Sequence, residues 1–314
     1  MSRARIGVAL AGAALVVAVV LSAFGVGESP GKLSDWQAFV LGVVQGATEL
    51  LPISSSGHLI LVPWAAGWRY LEEHPDFNKT FDVALHLGTL VAVILYFWRD
   101  VVRLVRAWFR SVANRRISTD DERVAWYVAV ATVPAAIAGA AGEDFIEKKL
   151  GNPWQIAILL AVFAVILWLA DRVAARRSIE EIGWKGAVGV GLAQCLALMP
   201  GVSRSGVTIT AGRFLRLDRD RAARFSFLLL IPIVFGASVL KGVKDIAFGN
   251  GLPPGSAGPF IVGMLAAAVV GLVAIWALLG YVRRHTYSLF VLYRLVLAGA
   301  ILVVIAAGWR DKNF

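Results

Sequence analysis

The sequence predicts an all-α, polytopic membrane protein, and three observations lead to that fold class. Hydrophobic residues make up 58% of the chain and charged residues 17%, whereas soluble domains are about 45–50% apolar and about 25% charged. The mean hydropathy is +0.72, and apolar runs of roughly 20 residues recur, the length at which a helix crosses a ~30 Å hydrocarbon core. Two further apolar regions are interrupted by short polar motifs, which indicates re-entrant helical hairpins.

The chain begins with an apolar run over residues 6–26, preceded by two arginines. This run is longer than the usual core of a signal peptide, so we expect an extra transmembrane helix or signal anchor within residues 1–33; a cleaved signal peptide is the alternative. A single membrane-embedded domain is expected over residues 34–308, followed by a C-terminal tail over residues 309–314.

Six uninterrupted apolar spans follow within that domain, and they lie at residues 80–98, 124–142, 154–171, 225–243, 259–281 and 288–308. The two interrupted segments, 36–68 and 186–216, are broken by "PISSSGH" (the first motif) and "PGVSRSG" (the second motif). Each half of an interrupted segment is too short to cross the bilayer comfortably. Such pieces are tolerated at membrane depth when they are buried in protein or line a cavity.

The distribution of lysine and arginine predicts the orientation of the chain. With the N-terminus in the cytoplasm, the cytoplasmic segments carry 20 of the 31 Lys and Arg residues and the outer segments carry nine. The net charge of +10 is therefore a topology signal, with attraction to anionic lipid heads. It does not form the concentrated basic face that nucleic-acid binding requires.

The two interrupted segments resemble each other when they are aligned 149 residues apart. The matched pairs are Gln45 with Gln194, Ser54 with Ser203, Ser56 with Ser205, Gly57 with Gly206, and Ile60 with Ile209. Each copy is followed by three spans, which predicts an inverted repeat of one hairpin plus three helices, repeat one over 34–172 and repeat two over 184–308. Folds of this kind place their sites where broken helices meet near the bilayer midplane, so the two motifs are expected to face each other.

Three ionisable residues in or just before these motifs are functional candidates, because charge is costly at membrane depth. Arg204 offers a planar fork of donors suited to phosphate oxygens. The serines and glycine around it, Ser203, Ser205 and Gly206, begin a helix whose amides favour an anion. Glu49 and His58 are suited to acid–base catalysis or metal ligation. The alternative is structural: the serines cap broken helices and Arg204 neutralises Glu49.

A nucleophile is also available in the first motif. Ser55 is a candidate that His58 would activate, but the three adjacent hydroxyls of Ser54, Ser55 and Ser56 leave the choice open. Gln45 lies one helical turn before Glu49, so it shares that face and is a candidate to hold water or ligand.

Two polar features outside the motifs receive structural interpretations. Asp82 and His86 share one face of the first span, where we favour a polar seam between helices over a supporting role in the site. Arg294 lies in the last span, close enough to its end for the side chain to snorkel to the interface, and we expect no catalytic role for it.

The motifs resemble those of a known family. "QGATELLPISSSGHLIL", "PGVSRSGVTITAGRFL" and "ARFSFLLLIPIVFGAS" are similar to three segments of the undecaprenyl-diphosphate phosphatase family of the bacitracin-resistance type. The resemblance extends from about residue 34 to about residue 308, and the N-terminal run is extra. It implies an integral hydrolase of the bacterial plasma (inner) membrane that cleaves undecaprenyl diphosphate to undecaprenyl phosphate and inorganic phosphate. This reaction recycles the lipid carrier for cell-wall synthesis, and the family is associated with antibiotic resistance.

The resemblance also implies residue roles. The implied catalytic residues are Glu49, Ser55, His58 and Arg204, and the implied substrate-binding residues are Gln45, Ser54, Ser56, Gly57, Ser203, Ser205 and Gly206. The family uses Mg²⁺ or Ca²⁺, for which Glu49 is the candidate ligand, and its site is expected to open to the outer side of the membrane. Gln45 stands where the family has Glu or Gln. The expected partners are the polyprenyl diphosphate and membrane lipids, with no nucleic acid, and a homodimer is left open.

A transporter or flippase for a lipid phosphate or another anion is the alternative function, since broken helices in inverted repeats also occur in transporters. In that interpretation Arg204 and Glu49 form an anion gate. A structural scaffold would not explain the paired motifs.

Overall fold

The computed structural model describes residues 32–68, 70–242 and 256–310. The expected N-terminal helix over 6–26 and most of the C-terminal tail lie outside the described residues.

The described part of the chain is helical and contains no β-strand. We label its eleven longer helices α1 to α11, and single helical turns at Tyr70–Glu73, Ile179–Glu181 and Leu196–Leu198 connect some of them. The bounds are α1 Asp35–Leu50, α2 Ser55–Ala66, α3 Pro75–Tyr96, α4 Trp98–Ala113, α5 Asp120–Leu150, α6 Pro153–Asp171, α7 Gly183–Cys195, α8 Arg204–Phe214, α9 Arg219–Gly242, α10 Ala257–Val282 and α11 Ser288–Ala306.

Six of the described helices are long and apolar enough to cross a membrane, and this confirms the six spans expected from the sequence. They are α3, the first 23 residues of α5, α6, the first 22 residues of α9, α10 and α11. The predicted starts at residues 80 and 225 were late, because the first turns of α3 and α9 are helical but polar. Apolar length alone therefore underestimates where these helices begin.

Both interrupted segments form two short helices with a break between them. In the first segment, α1 has 16 residues and α2 has 12; in the second, α7 has 13 and α8 has 11. At about 1.5 Å per residue, none of the four is long enough to cross a ~30 Å core. The break ends at Ser54 in one segment and at Ser203 in the other, immediately before the second helix begins.

The serine that ends each break has the same unusual backbone conformation. Ser54 has a φ of 76° and Ser203 a φ of 77°, a region that costs a residue with a Cβ on the order of 1–3 kcal/mol. Each serine also caps the helix that it precedes, since its hydroxyl accepts a hydrogen bond from the amide of Gly57 or of Gly206. The cap recovers part of that cost, typically ~1 kcal/mol.

The first helix of each interrupted segment packs against a full-length helix at backbone contact. A Cβ placed on Gly42 of α1 would lie 2.3 Å from the carbonyl oxygen of Gly263 in α10. A Cβ on Gly191 of α7 would lie 2.7 Å from the carbonyl oxygen of Ala131 in α5. No side chain fits at either position, so glycine allows the short helices to approach the long ones and fixes where the motifs lie.

Candidate active site

The first and second motifs contact each other directly. The Nε of Arg204 donates a hydrogen bond of 3.2 Å to Oε1 of Glu49. The hydroxyl of Ser205 donates to the carbonyl oxygen of Leu51 at 2.9 Å, and the hydroxyl of Ser54 accepts from the amide of Gly201 at 3.1 Å. These bonds join residues about 150 positions apart, so the structure brings together the two sets of candidate residues that the sequence analysis paired.

Glu49 is the buried centre of this cluster, with 5% of its surface exposed. Ser55 donates a short hydrogen bond to its Oε2, and the side-chain amide of Gln45 donates to the same oxygen at 3.4 Å. Its other oxygen pairs with Arg204. A buried carboxylate is tolerated only when it is paired and hydrogen-bonded, and here both oxygens have donors.

Arg204 is the cation of the cluster, and its donors are only partly used. Besides Nε, its Nη1 donates to the carbonyl oxygen of Ser226 at 2.8 Å. Its Nη2 is buried and has no hydrogen-bond partner among the described residues. An unpartnered buried donor is uncommon and calls for an explanation. One arm of the guanidinium fork is available for an oxygen acceptor.

The five serines of the motifs have different environments. Ser54 and Ser203 serve as helix caps, and the hydroxyl of Ser203 also lies 3.2 Å from that of Ser205. Ser56 is partly exposed in the first turn of α2. Ser55 is the one whose hydroxyl is bonded to a carboxylate, and of the three adjacent serines it is the best placed to lose a proton.

His58 is buried and both nitrogens of its ring have partners. Its Nδ1 lies 2.6 Å from the carbonyl oxygen of Ser54, and its Nε2 lies 2.7 Å from the hydroxyl of Tyr293. A carbonyl can only accept, so Nδ1 carries the proton and the Nε2 of the neutral ring accepts from Tyr293. The sequence analysis proposed His58 as the activator of Ser55. The structure gives each residue a different partner, because Ser55 faces α1 and His58 faces α11.

His86 reaches the cluster from α3, which lies outside both motifs. Its Nε2 is 3.5 Å from Oε2 of Glu49, and its Nδ1 is 2.7 Å from the carbonyl oxygen of Asp82. The sequence analysis favoured a polar seam for this pair, and the structure places His86 at the candidate site. The available signal was a histidine one helical turn after an aspartate within an apolar span.

Arg294 does not snorkel, and the sequence expectation was wrong on this point. The residue is fully buried because α11 turns this side chain toward the interior, between the two breaks. Its guanidinium donates to the carbonyl oxygens of Leu160, Pro52, Gly201 and Val202. Carbonyl oxygens take the place of the water that a snorkelling side chain would reach.

The described side chains around Glu49 offer few ligands for a metal ion. No group of three His, Cys, Asp or Glu side chains that would hold an ion occurs in the described parts of the chain. Glu49, the candidate ligand, is surrounded by donors from Ser55, Gln45 and Arg204 rather than by other oxygen ligands. A hard cation prefers six or more oxygen ligands, and the protein offers one carboxylate here.

Comparisons with known proteins agree with the motif resemblance. The family model of bacitracin resistance protein BacA matches residues 38–300. The chain is 44% identical to the undecaprenyl-diphosphatase of Desulforudis audaxviator, covering 87% of this chain and 98% of that protein. It is 47% identical to that of Moorella thermoacetica (85% and 97%) and 46% identical to that of Geobacter sulfurreducens (86% and 98%).

The six apolar helices make the chain a multi-pass membrane protein. The matched region contains both motifs, all six of the membrane-spanning helices except the last turns of α11, and every candidate residue described above. The chain belongs to the bacitracin resistance protein BacA family.

Proposed function

We propose that this protein is a phosphatase of the bacterial plasma membrane that hydrolyses undecaprenyl diphosphate to undecaprenyl phosphate and inorganic phosphate. The observation that carries this proposal is the free Nη2 of Arg204, whose guanidinium pairs with the same carboxylate that accepts the hydroxyl of Ser55. The relatives are named for the same reaction. Recycling the lipid carrier in this way supplies cell-wall synthesis.

The diphosphate is proposed to bind between the two breaks. Arg204 provides a charged donor, and the first turns of α2 and α8 provide backbone amides at helix N-termini, where an anion is favoured by about 0.3–1 kcal/mol or more per terminus. The undecaprenyl tail then lies among the apolar helix faces. Of the residues that the sequence analysis assigned to substrate binding, Gln45, Ser54, Ser203 and Ser205 have hydrogen-bond partners within the protein, so the diphosphate is proposed to contact the backbone amides.

The transfer step is proposed to begin at Ser55. As its oxygen attacks the terminal phosphorus, its proton passes to Glu49, the anhydride P–O bond breaks and undecaprenyl phosphate leaves. Water then attacks the phosphorus of the phosphoserine, and the P–O bond to Ser55 breaks. Glu49 returns its proton to the oxygen of Ser55, and inorganic phosphate leaves with both protons of the water. Arg204 stabilises the charge that develops on the transferring oxygens, the kind of contribution that usually dominates in such reactions.

We propose further that the two halves form the inverted repeat, with re-entrant α1–α2 and α7–α8. Reciprocal packing supports this. Helix α1 of the first half packs on α10 of the second, α7 of the second packs on α5 of the first, and the third spans, α6 and α11, pack on each other. The contact glycines Gly42 and Gly191 are 149 residues apart, as are the positive-φ serines Ser54 and Ser203.

The site is proposed to open to the outer side of the membrane. Support comes from the lysine and arginine distribution, which places α4 and the loops after α6 and α8 in the cytoplasm. The first interrupted segment then enters from the outside and the second from the inside. Access from the outside suits a substrate whose diphosphate head is released on that face.

A divalent cation, Mg²⁺ or Ca²⁺, remains a prediction for this reaction. Since the described side chains offer one carboxylate at the site, we propose that the oxygens of the diphosphate supply most of the ligands. None of the steps above depends on where the cation lies.

The test is release of phosphate from farnesyl or undecaprenyl diphosphate by the purified protein in detergent or vesicles. We expect multiple turnovers, and near-complete loss with Arg204→Ala. Folded wild-type protein that releases no phosphate would contradict the proposal and favour the transporter or flippase alternative. No observation on the described residues favours that alternative.

A further inference from the structure

Helix α11 delivers two consecutive side chains to the candidate site, although it lies outside both motifs. Tyr293 contacts His58 of the first motif, and Arg294 contacts the breaks of both interrupted segments. Neighbouring residues on a helix point about 100° apart, so the two side chains reach different parts of the site from one backbone position.

The Tyr293 contact determines the state of His58. Because Nδ1 of His58 donates to the carbonyl of Ser54, the lone pair of its Nε2 is the ring's remaining polar site, and the hydroxyl of Tyr293 donates to it at 2.7 Å. The two rings are also stacked, with centroids 5.7 Å apart and planes 11° from parallel. Tyr293 thereby holds both the tautomer and the ring plane of His58.

The Arg294 contacts determine the conformation of the breaks. Its Nη1 donates to the carbonyl of Pro52 at 3.3 Å, and its Nη2 donates to the carbonyls of Gly201 and Val202 at 2.9 Å and 3.1 Å. Pro52 lies two residues before Ser54 and Val202 directly precedes Ser203, the serines with positive φ. One guanidinium thus secures the strained turn in front of each helix N-terminus.

We propose that Tyr293 and Arg294 are positioning residues for the phosphatase reaction, a third component of the site that the two motifs lack. Tyr293 orients His58. Arg294 fixes the distance between the N-termini of α2 and α8, which bind the diphosphate in the proposed reaction. This proposal rests on the proposed function. Among the described residues Arg294 forms no ion pair with a carboxylate, so its charge adds to that of Arg204 beneath the phosphate site.

The chain contains a matched control for each residue. The hydroxyl of Tyr287 donates to the carbonyl of Arg219 at 3.0 Å, and the side chain is fully buried. Arg213 is buried and donates to the carbonyls of Leu217, Asp171 and Val173. Both controls lose comparable hydrogen bonds to carbonyl oxygens when they are substituted, although Arg213 also pairs with Asp171, and their partners lie outside the two breaks.

The first experiment compares Tyr293→Phe with Tyr287→Phe. Each substitution removes one hydroxyl, so thermal stability should fall by similar amounts. We expect Tyr293→Phe to lower kcat about five- to tenfold with KM nearly unchanged, because His58, a candidate for acid–base catalysis, loses its orientation while the proposed contacts to the diphosphate remain. Tyr287→Phe should keep the kcat of the wild type. Equal kcat in the two variants, or a change in KM alone, would overturn the role of Tyr293.

The second experiment compares Arg294→Lys with Arg213→Lys. Lysine keeps the charge but cannot reach four carbonyl oxygens as the planar guanidinium does. We therefore expect Arg294→Lys to lower kcat/KM by about 100-fold, the scale of a ~1 Å misplacement. Arg213→Lys should retain most of its activity at equal or lower thermal stability. Equal activity losses in the two variants would overturn the role of Arg294, and if Arg294→Lys fails to fold, the tyrosine pair decides the proposal alone.

An inactive wild type would overturn the proposed function itself, whereas an active wild type with unchanged variants would overturn this inference only.

Discussion

The hydroxyl of Ser55 donates a short hydrogen bond to the carboxylate of Glu49, across the break that separates α1 from α2. The same carboxylate pairs with Arg204 of the second motif. The proposed nucleophile, base and phosphate-binding cation are therefore connected by direct contacts, and each contact can be tested by a substitution that leaves the shape of the site nearly unchanged.

Glu49→Gln should lower kcat by about 100-fold or more, because the amide cannot accept the proton of Ser55 and general bases contribute roughly 10²–10⁴-fold. Stability should also fall, because a neutral amide no longer balances the buried charge of Arg204, so thermal unfolding must show that the variant is folded at the assay temperature. Phosphate release under single-turnover conditions measures the step, with Glu180→Gln as the control for a carboxylate outside the site. A Glu49→Gln enzyme with wild-type kcat would exclude the carboxylate as the base.

Ser55→Ala should abolish multiple turnover, whereas Ser54→Ala should mainly reduce stability. Ser54 caps α2 and bonds the amide of Gly201, so its loss costs on the order of 0.5–2 kcal/mol of stability. The measurements are phosphate release, thermal unfolding, and trapping of a phosphoserine with labelled substrate at low temperature. If Ser55→Ala retains activity, water and not this serine is the nucleophile.

Arg204→Lys should lower kcat/KM by about 10²–10³-fold, since a point charge replaces a fork that binds Glu49, Ser226 and a phosphate oxygen at once. Inhibition by inorganic phosphate or pyrophosphate should weaken in parallel. The control is Arg172→Lys, an exposed arginine at the end of α6. Unchanged inhibition constants in Arg204→Lys would show that this guanidinium does not bind phosphate.

Gly191→Ala should destabilise the protein by about 1–3 kcal/mol, because its methyl group would overlap the backbone of Ala131. Gly189→Ala, two residues earlier on α7, meets open space and should be neutral or stabilising by about 0.4–1 kcal/mol. Thermal unfolding of the two variants in the same detergent gives the comparison. Equal midpoints would show that α7 and α5 are less closely packed than described.

Chelation with EDTA should abolish phosphate release, and Mg²⁺ or Ca²⁺ should restore it. If the diphosphate provides most of the ligands, the cation should stabilise the protein against heat only when a diphosphate analogue is also present. Thermal unfolding with each component alone and with both distinguishes the cases. Strong stabilisation by the cation alone would point to a site made by the protein itself.

Much of this protein could be predicted from local sequence patterns. The six spans follow from apolar length, and the two breaks follow from polar residues within apolar segments. The pairing of Ser54 with Ser203 followed from the repeat, and the ion pair between Glu49 and Arg204 was the structural alternative that the charges of the two segments suggested. Their proximity was predictable because inverted repeats bring equivalent broken helices together.

The contributions of His86, Tyr293 and Arg294 were not predictable in the same way. Each lies on a span whose sequence reads as an ordinary apolar helix with one or two polar residues. A polar side chain near the end of such a helix has two environments of low energetic cost, the membrane–water interface or another polar group inside the protein. Rotation of the helix selects between them, and that rotation depends on packing.

By itself, the sequence determined the class of the fold, the number of apolar spans, the positions of the two breaks and the family, because these depend on local composition and motif order. Only the tertiary structure decided which serine contacts the carboxylate, that His58 bonds Tyr293, and that Arg294 lies inside the protein. Those contacts join residues up to 242 positions apart, and their geometry is set by how glycine-lined helices approach one another, which no single segment encodes.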